Sequence, residues 1–223
     1  MAIFSDPDRK RIKELLSDME NPVRVVQFAQ EPECLLCRET MQLLDDLVGL
    51  SGKLSLETYN RQLDRDKAST YRVDKALATL VIGAKDYAVR LYGIPTGYEI
   101  VVLLRSIIRV SQGKSGLEQE TIEKLKRLKS PLHIEVFVTP NWPYCPGAAR
   151  VAHQMAIESN LISADMIEAT GFPELAGQYR ARGVPKTVVN GAFGIEGSLP
   201  EAELVEQIPG AAGLRTAPAP SGQ

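Results

Sequence analysis

Shifted against itself by 108 residues, the sequence falls into register at two separated places. Cys37 lies over Cys145 and Cys34 over Trp142, while "TYRVDKALATLVIG" (70–83) lies over "QYRARGVPKTVVNG" (178–191) without a gap. Tyr71 meets Tyr179, Arg72 meets Arg180, Thr79 meets Thr187, Val81 meets Val189 and Gly83 meets Gly191. This period is far above the roughly 20–50 residues of a solenoid repeat, so it reads as one domain written twice. A chain of 223 residues has room for two modest cores. The halves are expected at 1–115 and 116–215, and the tail "TAPAPSGQ" (216–223) has a disordered composition.

Both halves carry the same order of signals. A β-branched run of strand length comes first, "VRVVQFA" (23–29) or "LHIEVFV" (132–138). A turn then carries the cysteine and opens a helix, expected over 37–48 and 145–160; Ala149, Ala152, Met155 and Ala156 give the second its helical spacing. A second strand follows, "LSLETYN" or "LISADMIEA", then a short helix ending near Tyr71 or Tyr179. "ATLVIG" or "KTVVNG" reads as a third strand, followed by a hairpin return and a closing helix over 97–110 or 200–208. The order β-α-β-α-β-β-α predicts an α/β fold, a mixed central sheet flanked by helices in each half. The charged segment "SGLEQETIEKLKRLKS" (115–130) is expected to join the halves as a helix, and an added helix to cover 7–19.

Composition narrows the function classes. A net charge of -2 gives no electrostatic case for nucleic acid or an anionic membrane. No apolar run approaches the roughly 20 residues of a membrane span, and the N-terminus turns charged by residue 6, unlike a secretory signal. Three cysteines, an odd number, argue against a disulfide-stapled secreted domain. The pair Cys34-x-x-Cys37 in a chain expected to be cytoplasmic reads as redox or metal chemistry. His133 and His153 lack ligand spacing to the cysteines, so one chain does not supply a four-ligand zinc site. "GIPTGYE" (93–99) departs from the phosphate-loop pattern and reads as the start of a helix.

A strand, a C-x-x-C at a helix start and a later Gly-Val-Pro before another strand form the layout of the thioredoxin fold. Two such units resemble the protein disulfide oxidoreductases (glutaredoxin-like proteins) of thermophilic microbes. The resemblance covers nearly the whole chain and is strongest at "FVTPNWPYCPGAA", "RGVPKTVVNG" and "YGIPTGYE". It implies two tandem thioredoxin-like domains, each with a C-x-x-C beside a cis-Pro, exchanging disulfides with other proteins. The chain departs from that pattern twice. Trp142 replaces the first cysteine of the second site, where Cys145 and Val184-Pro185 remain. Both Cys34 and Cys37 stand in the first site, but Leu77 occupies the place of Pro185.

The resemblance makes Cys34 the attacking thiolate, favoured by unpaired N–H groups at the helix start, and Cys37 the resolving thiol. Glu33 opposes that thiolate and Arg38 partly offsets it. The competing reading makes the pair a structural disulfide or two small hydrophobes. A cis-Pro and its neighbour present backbone to an incoming peptide, which assigns Val184, Pro185 and, by position, Leu77 to substrate binding. A non-Pro cis bond costs ~3 kcal/mol, so Ala76–Leu77 is expected to be trans and its loop reshaped. Cys145 is expected to be inert, or else able to form a mixed disulfide or a sulfenic acid. Trp142 either plugs the second site, anchors a partner or serves the structure. The implied partners are disulfide-containing or thiol proteins and a thioredoxin-reductase-like electron donor. The implied redox group is the Cys34–Cys37 disulfide, with no organic cofactor and no metal. Two alternatives stand beside this: a non-catalytic binding protein using the Trp142/Pro185 surface, and a homodimer pooling two C-x-x-C pairs around a metal or iron–sulfur cluster.

Overall fold

The two β-branched runs become strands with the expected bounds, β1 (Val23–Ala29) and β5 (Leu132–Val138). The protein is described by a computed structural model over residues 3–30 and 35–208. Cys34, Glu33 and the tail 216–223 lie outside the described residues. α1 (Asp6–Leu16) precedes β1, its N-terminus capped by the Ser5 side chain, which accepts from the Asp8 N–H. The first half continues with α2 (Leu35–Val48), β2 (Leu54–Asn60), α3 (Arg65–Thr70), β3 (Ala78–Ile82), β4 (Asp86–Tyr92) and α4 (Glu99–Gln112). The short helix α5 (Gln119–Leu125) leads to β5. After it come α6 (Cys145–Glu158), β6 (Ile162–Glu168), α7 (Pro173–Gln178), β7 (Lys186–Val189), β8 (Phe193–Glu196) and α8 (Glu201–Gln207).

The joining helix is shorter than its charged composition suggests. Gly113 ends α4 at φ +64 and Gly116 stands at φ +71, so helix cannot run through the start of the segment. α6 stops at Glu158, two residues early, because Ser159 is already extended.

The halves share one sheet, in the order β2-β1-β3-β4-β6-β5-β7-β8. Within each half the first two strands pair in parallel and the rest are antiparallel. The seam is the parallel pair β4–β6, with Val89 beside Ala164, Arg90 beside Asp165, Leu91 beside Met166 and Tyr92 beside Ile167. This join explains a divergence between equivalent strands. β2 is an outer edge and none of its residues is fully buried, whereas β6, its counterpart, is covered by β4 and buried at six of seven positions. The sequence follows: "LSLETYN" alternates, while "ISADMIE" must satisfy two neighbours.

The strands send alternate side chains to two layers. On one face Val25, Ile134, Val136 and Val138 join Leu44, Leu47, Leu103, Ile107, Ala149, Ala152 and Leu204 in a core that runs through both halves. On the other, Val26, Phe28, Phe137, Ile167 and Val188 pack with Ala68 and Ala176 of the short helices α3 and α7. Those helices end alike: the N–H of Val73 bonds the carbonyl of Ala68 and that of Ala181 the carbonyl of Ala176, each at 2.8 Å. Arg72 and Arg180 take positive φ at the same point of the turn in both copies.

Candidate active sites

The first site is built where β1 hands over to α2. Cys37 is buried and disulfide-bonded, in the first turn of α2. Its Sγ accepts from the Gln30 N–H at 3.5 Å, and its carbonyl accepts from Gln27 Nε2 at 3.2 Å. Ala29 and Leu77 pack against it in a small apolar cluster. The fold therefore brings Leu77 to the sulfur, at the place where the second half has Pro185. Ala76–Leu77 is trans, since Val184–Pro185 is the cis bond among the described residues, and Leu77 stands at φ +59. A non-glycine residue there carries steric strain that its packing on Cys37 must offset. Leu36, between the cysteines, is exposed.

The second site opens α6. The Trp142 N–H reaches the Thr139 carbonyl at 3.3 Å, and the Cys145 N–H reaches the Trp142 carbonyl at 3.2 Å, so the turn survives without its first sulfur. Cys145 is a free thiol, 1% exposed. Burial pushes its pKa up, hydrogen bonds from Thr139 oppose this, and the nearby Glu99 carboxyl raises it further. A buried thiol held protonated is a poor nucleophile. Trp142 is half exposed, its ring 5.7 Å from that of the exposed Tyr144. Pro185 is buried and Val184 partly so, packing between the two cores.

Glu99 belongs to the first half yet sits at the second site, a placement that sequence reading missed. The N-terminus of α4 docks on the second-site loop: Tyr98 donates its N–H to the Pro140 carbonyl at 2.9 Å. Gly97, at φ +55, lies so close that a Cβ would meet that carbonyl oxygen at 2.4 Å. Glu99 is 1% exposed, and neither carboxylate oxygen has a hydrogen-bond partner among the described residues. Burial, then the charge of Glu168, raises its pKa to about 8. Glu168 is instead well partnered, accepting from the N–H groups of Thr170 (2.9 Å) and Gly171 (2.7 Å) and from the Thr170 hydroxyl. "GIPTGYE" carries the glycine and the acid, but only the β4–β6 seam shows what they face.

The histidines are occupied elsewhere. His133 pairs with Asp165 at 2.8 Å, and His153 lies between Ser106 Oγ (2.8 Å) and the Arg90 carbonyl (3.2 Å). Among the described residues no cluster of histidine, cysteine and acidic side chains could hold a metal. Among the same residues no helix is long and apolar enough to cross a membrane.

A family described as thioredoxin domain matches residues 132–209, the second half. Over 93% of both chains, a protein disulfide oxidoreductase from Aeropyrum pernix superposes with a TM-score of 0.86 at 34% identity. The chain belongs to the protein disulfide oxidoreductase family. It also has the fold of the NTD_N/C domain of alkylhydroperoxide reductase from Enterococcus faecalis, with a TM-score of 0.85 at 23% identity over 91% of this chain and 98% of that one. Among curated proteins, an alkyl hydroperoxide reductase component of Pseudomonas aeruginosa is 24% identical over 209 residues. Those residues are 94% of this chain but 38% of the relative, so the chain spans little more than a third of the curated relatives it matches. Family membership bears out the reading of two tandem thioredoxin folds. The sequence places the pair Cys34-x-x-Cys37 in the first half, and the second half has the cis bond Val184–Pro185.

Proposed function

We propose that this protein exchanges disulfides with other proteins through Cys34 and Cys37. The observation that carries the reading is Cys37 itself: disulfide-bonded, in the first turn of a helix, against Leu77 at the place of the family's proline. In the reducing direction the Cys34 thiolate attacks a substrate sulfur and displaces the other as a thiolate, forming a mixed disulfide. Cys37, once deprotonated, then attacks Cys34, the second substrate sulfur leaves as a thiol, and the Cys34–Cys37 disulfide closes. The two electrons return from a thioredoxin-reductase-like dithiol donor. No organic cofactor or metal enters this scheme, and the site of action is the cytoplasm. Val184, Pro185 and Leu77 supply the backbone edges on which substrate peptides rest.

A redox titration of the pair with thiol counting tests the reading. A reversible two-electron couple between roughly -270 and -120 mV is expected. A pair that stays oxidised below about -300 mV would be a structural disulfide and would end the proposal.

The exposed aromatic surface around the second site favours a second role. Trp142, Tyr144, Tyr98 and Val101 are all exposed, and the Tyr98–Pro140 bond ties their two segments together. Such a patch suits a partner protein. Trp142→Ala would then weaken binding of a redox partner while leaving the first-site couple unchanged. Equal binding by the variant excludes this role.

A further inference from the structure

Three arginines surround a cavity of about 280 Å³ between α4 and α6, one helix from each half. Arg105 and Arg109 stand one turn apart on α4 and Arg150 faces them from α6. Among the described residues no carboxylate lies within 4.0 Å of any of the three, although the chain as a whole has a net charge of -2. Like charges grouped this way repel, and the grouping is costly unless an anion visits.

Two of the three guanidinium groups are positioned by neutral groups. Arg150 donates to Gln154 Oε1 at 3.0 Å, and the buried Gln154 is itself fixed by its Nε2 bond to the Ser115 carbonyl at 2.8 Å. An amide in that place orients the arginine without neutralising it, as a glutamate would. The Arg109 guanidinium lies on Gly116, where a Cβ would fall 2.5 Å from its central carbon. The cavity floor is neutral. His153 must carry its proton on Nε2 to donate to the Arg90 carbonyl, so its Nδ1 accepts from the Ser106 hydroxyl. Burial lowers its pKa to about 4. The charge in the cavity is therefore that of the arginines alone.

We propose that this cavity binds a diphosphate group of a small molecule, with Arg105, Arg109 and Arg150 as its ligands. Guanidinium forks match phosphate oxygens two at a time, and two linked phosphates bring enough charge to engage three of them. The cavity lies at the lower end of the range for small-molecule sites, which suits a compact anion rather than a polymer. It lies between the halves, in the helical layer formed by α4 and α6. An occupant would therefore join α4 to α6.

Isothermal titration of the full chain with inorganic pyrophosphate at low salt tests this. One site per chain with Kd below about 1 mM is expected, and Arg105→Gln or Arg150→Gln should each weaken it at least about tenfold. Both residues are exposed and each substitution removes like-charge repulsion, so the variants should unfold at or above the parent's temperature without ligand. Pyrophosphate should raise that temperature for the parent and not for the double variant. No saturable heat up to about 10 mM, or equal affinity in the Arg105→Gln/Arg150→Gln protein, overturns the proposal. Sulfate binding as tightly as pyrophosphate overturns the diphosphate assignment.

Discussion

Leu77 and Pro185 stand at the same point of the two halves, and the chain around them is built alike. Each carbonyl accepts from a glycine N–H of the following hairpin, Gly93 at 2.9 Å and Gly197 at 2.8 Å. What differs is the backbone at the residue itself: a trans bond with φ +59 at Leu77, and a cis bond at Pro185, whose ring holds φ negative. The cysteines show the opposite pattern: the sequence has two in Leu77's half, and one buried thiol lies in the half that keeps the proline. The cysteine turn and the loop opposite are thus separable parts. Either can change with little effect on the sheet: the main core runs across the β4–β6 seam and takes Cys145 and, at its margin, Val184 from the second site, while Cys37 and Leu77 form a separate small cluster with Ala29.

The largest expected effect sharpens that contrast. Cys34→Ser and Cys37→Ser should each lower disulfide exchange, followed by insulin reduction, at least about a hundredfold. Cys145→Ser should leave it within about twofold, because a buried thiol held protonated supplies no nucleophile. A comparable loss in Cys145→Ser would make the two sites one functional unit. Next comes a direct attempt to repair the first site. Leu77→Pro forces φ from +59° to near -65°, so it should destabilise the fold by about 3 kcal/mol in urea unfolding unless the whole loop rearranges. An unchanged midpoint would mean that the loop moves freely between both forms.

How far the sequence showed this in advance follows the repeat. β1, β2 and β5 were legible to the residue, because β-branched runs bounded by turns have one strand reading. The place of Leu77 was legible too, since the offset of 108 alone carries it to the position of Pro185. The single sheet was not legible: β4 and β6 pair across the two halves, and a hydrophobic pattern within either half cannot state which edge meets which. Glu99 was lost for the same reason. An acid at a helix start is ordinarily a solvated partner for the dipole. Only the packing of Gly97 on Pro140 shows that it is buried beside Cys145.

Glu99 gives the comparison a pH signature. Its folded carboxyl holds a proton up to about pH 8, while the unfolded chain releases it near 4.5. Between these values the folded state binds more protons, so stability falls as pH rises and the loss is complete above pH 8. His153 acts in the opposite sense: with its folded pKa at about 4 against 6.5, its contribution is lost as pH falls through that window. The two slopes oppose each other between 4.5 and 6.5, and above 6.5 the Glu99 loss adds to that of His133, whose hydrogen bond to Asp165 raises its pKa. Glu99→Gln should therefore flatten the stability profile above pH 6.5 and be more stable than the parent by a few kcal/mol above pH 8. Parallel urea midpoints across that range would show that the carboxyl ionises freely at the second site.

The smallest effect tests the link between the halves. Gly97→Ala places a Cβ against the Pro140 carbonyl oxygen at a φ that disfavours any side chain. The left-handed backbone alone costs roughly 1–2 kcal/mol, and the contact requires the second-site loop to shift. Urea unfolding should register that loss. The informative readout is Trp142 fluorescence in the folded state, because Trp142 follows Pro140 by two residues in the loop that must move. A destabilised protein with unchanged Trp142 emission would place the strain in α4, and the first half would then adjust without reaching the second site. A shifted emission means that the N-terminus of α4 sets the shape of the second-site loop, so a substitution in one half alters the site of the other.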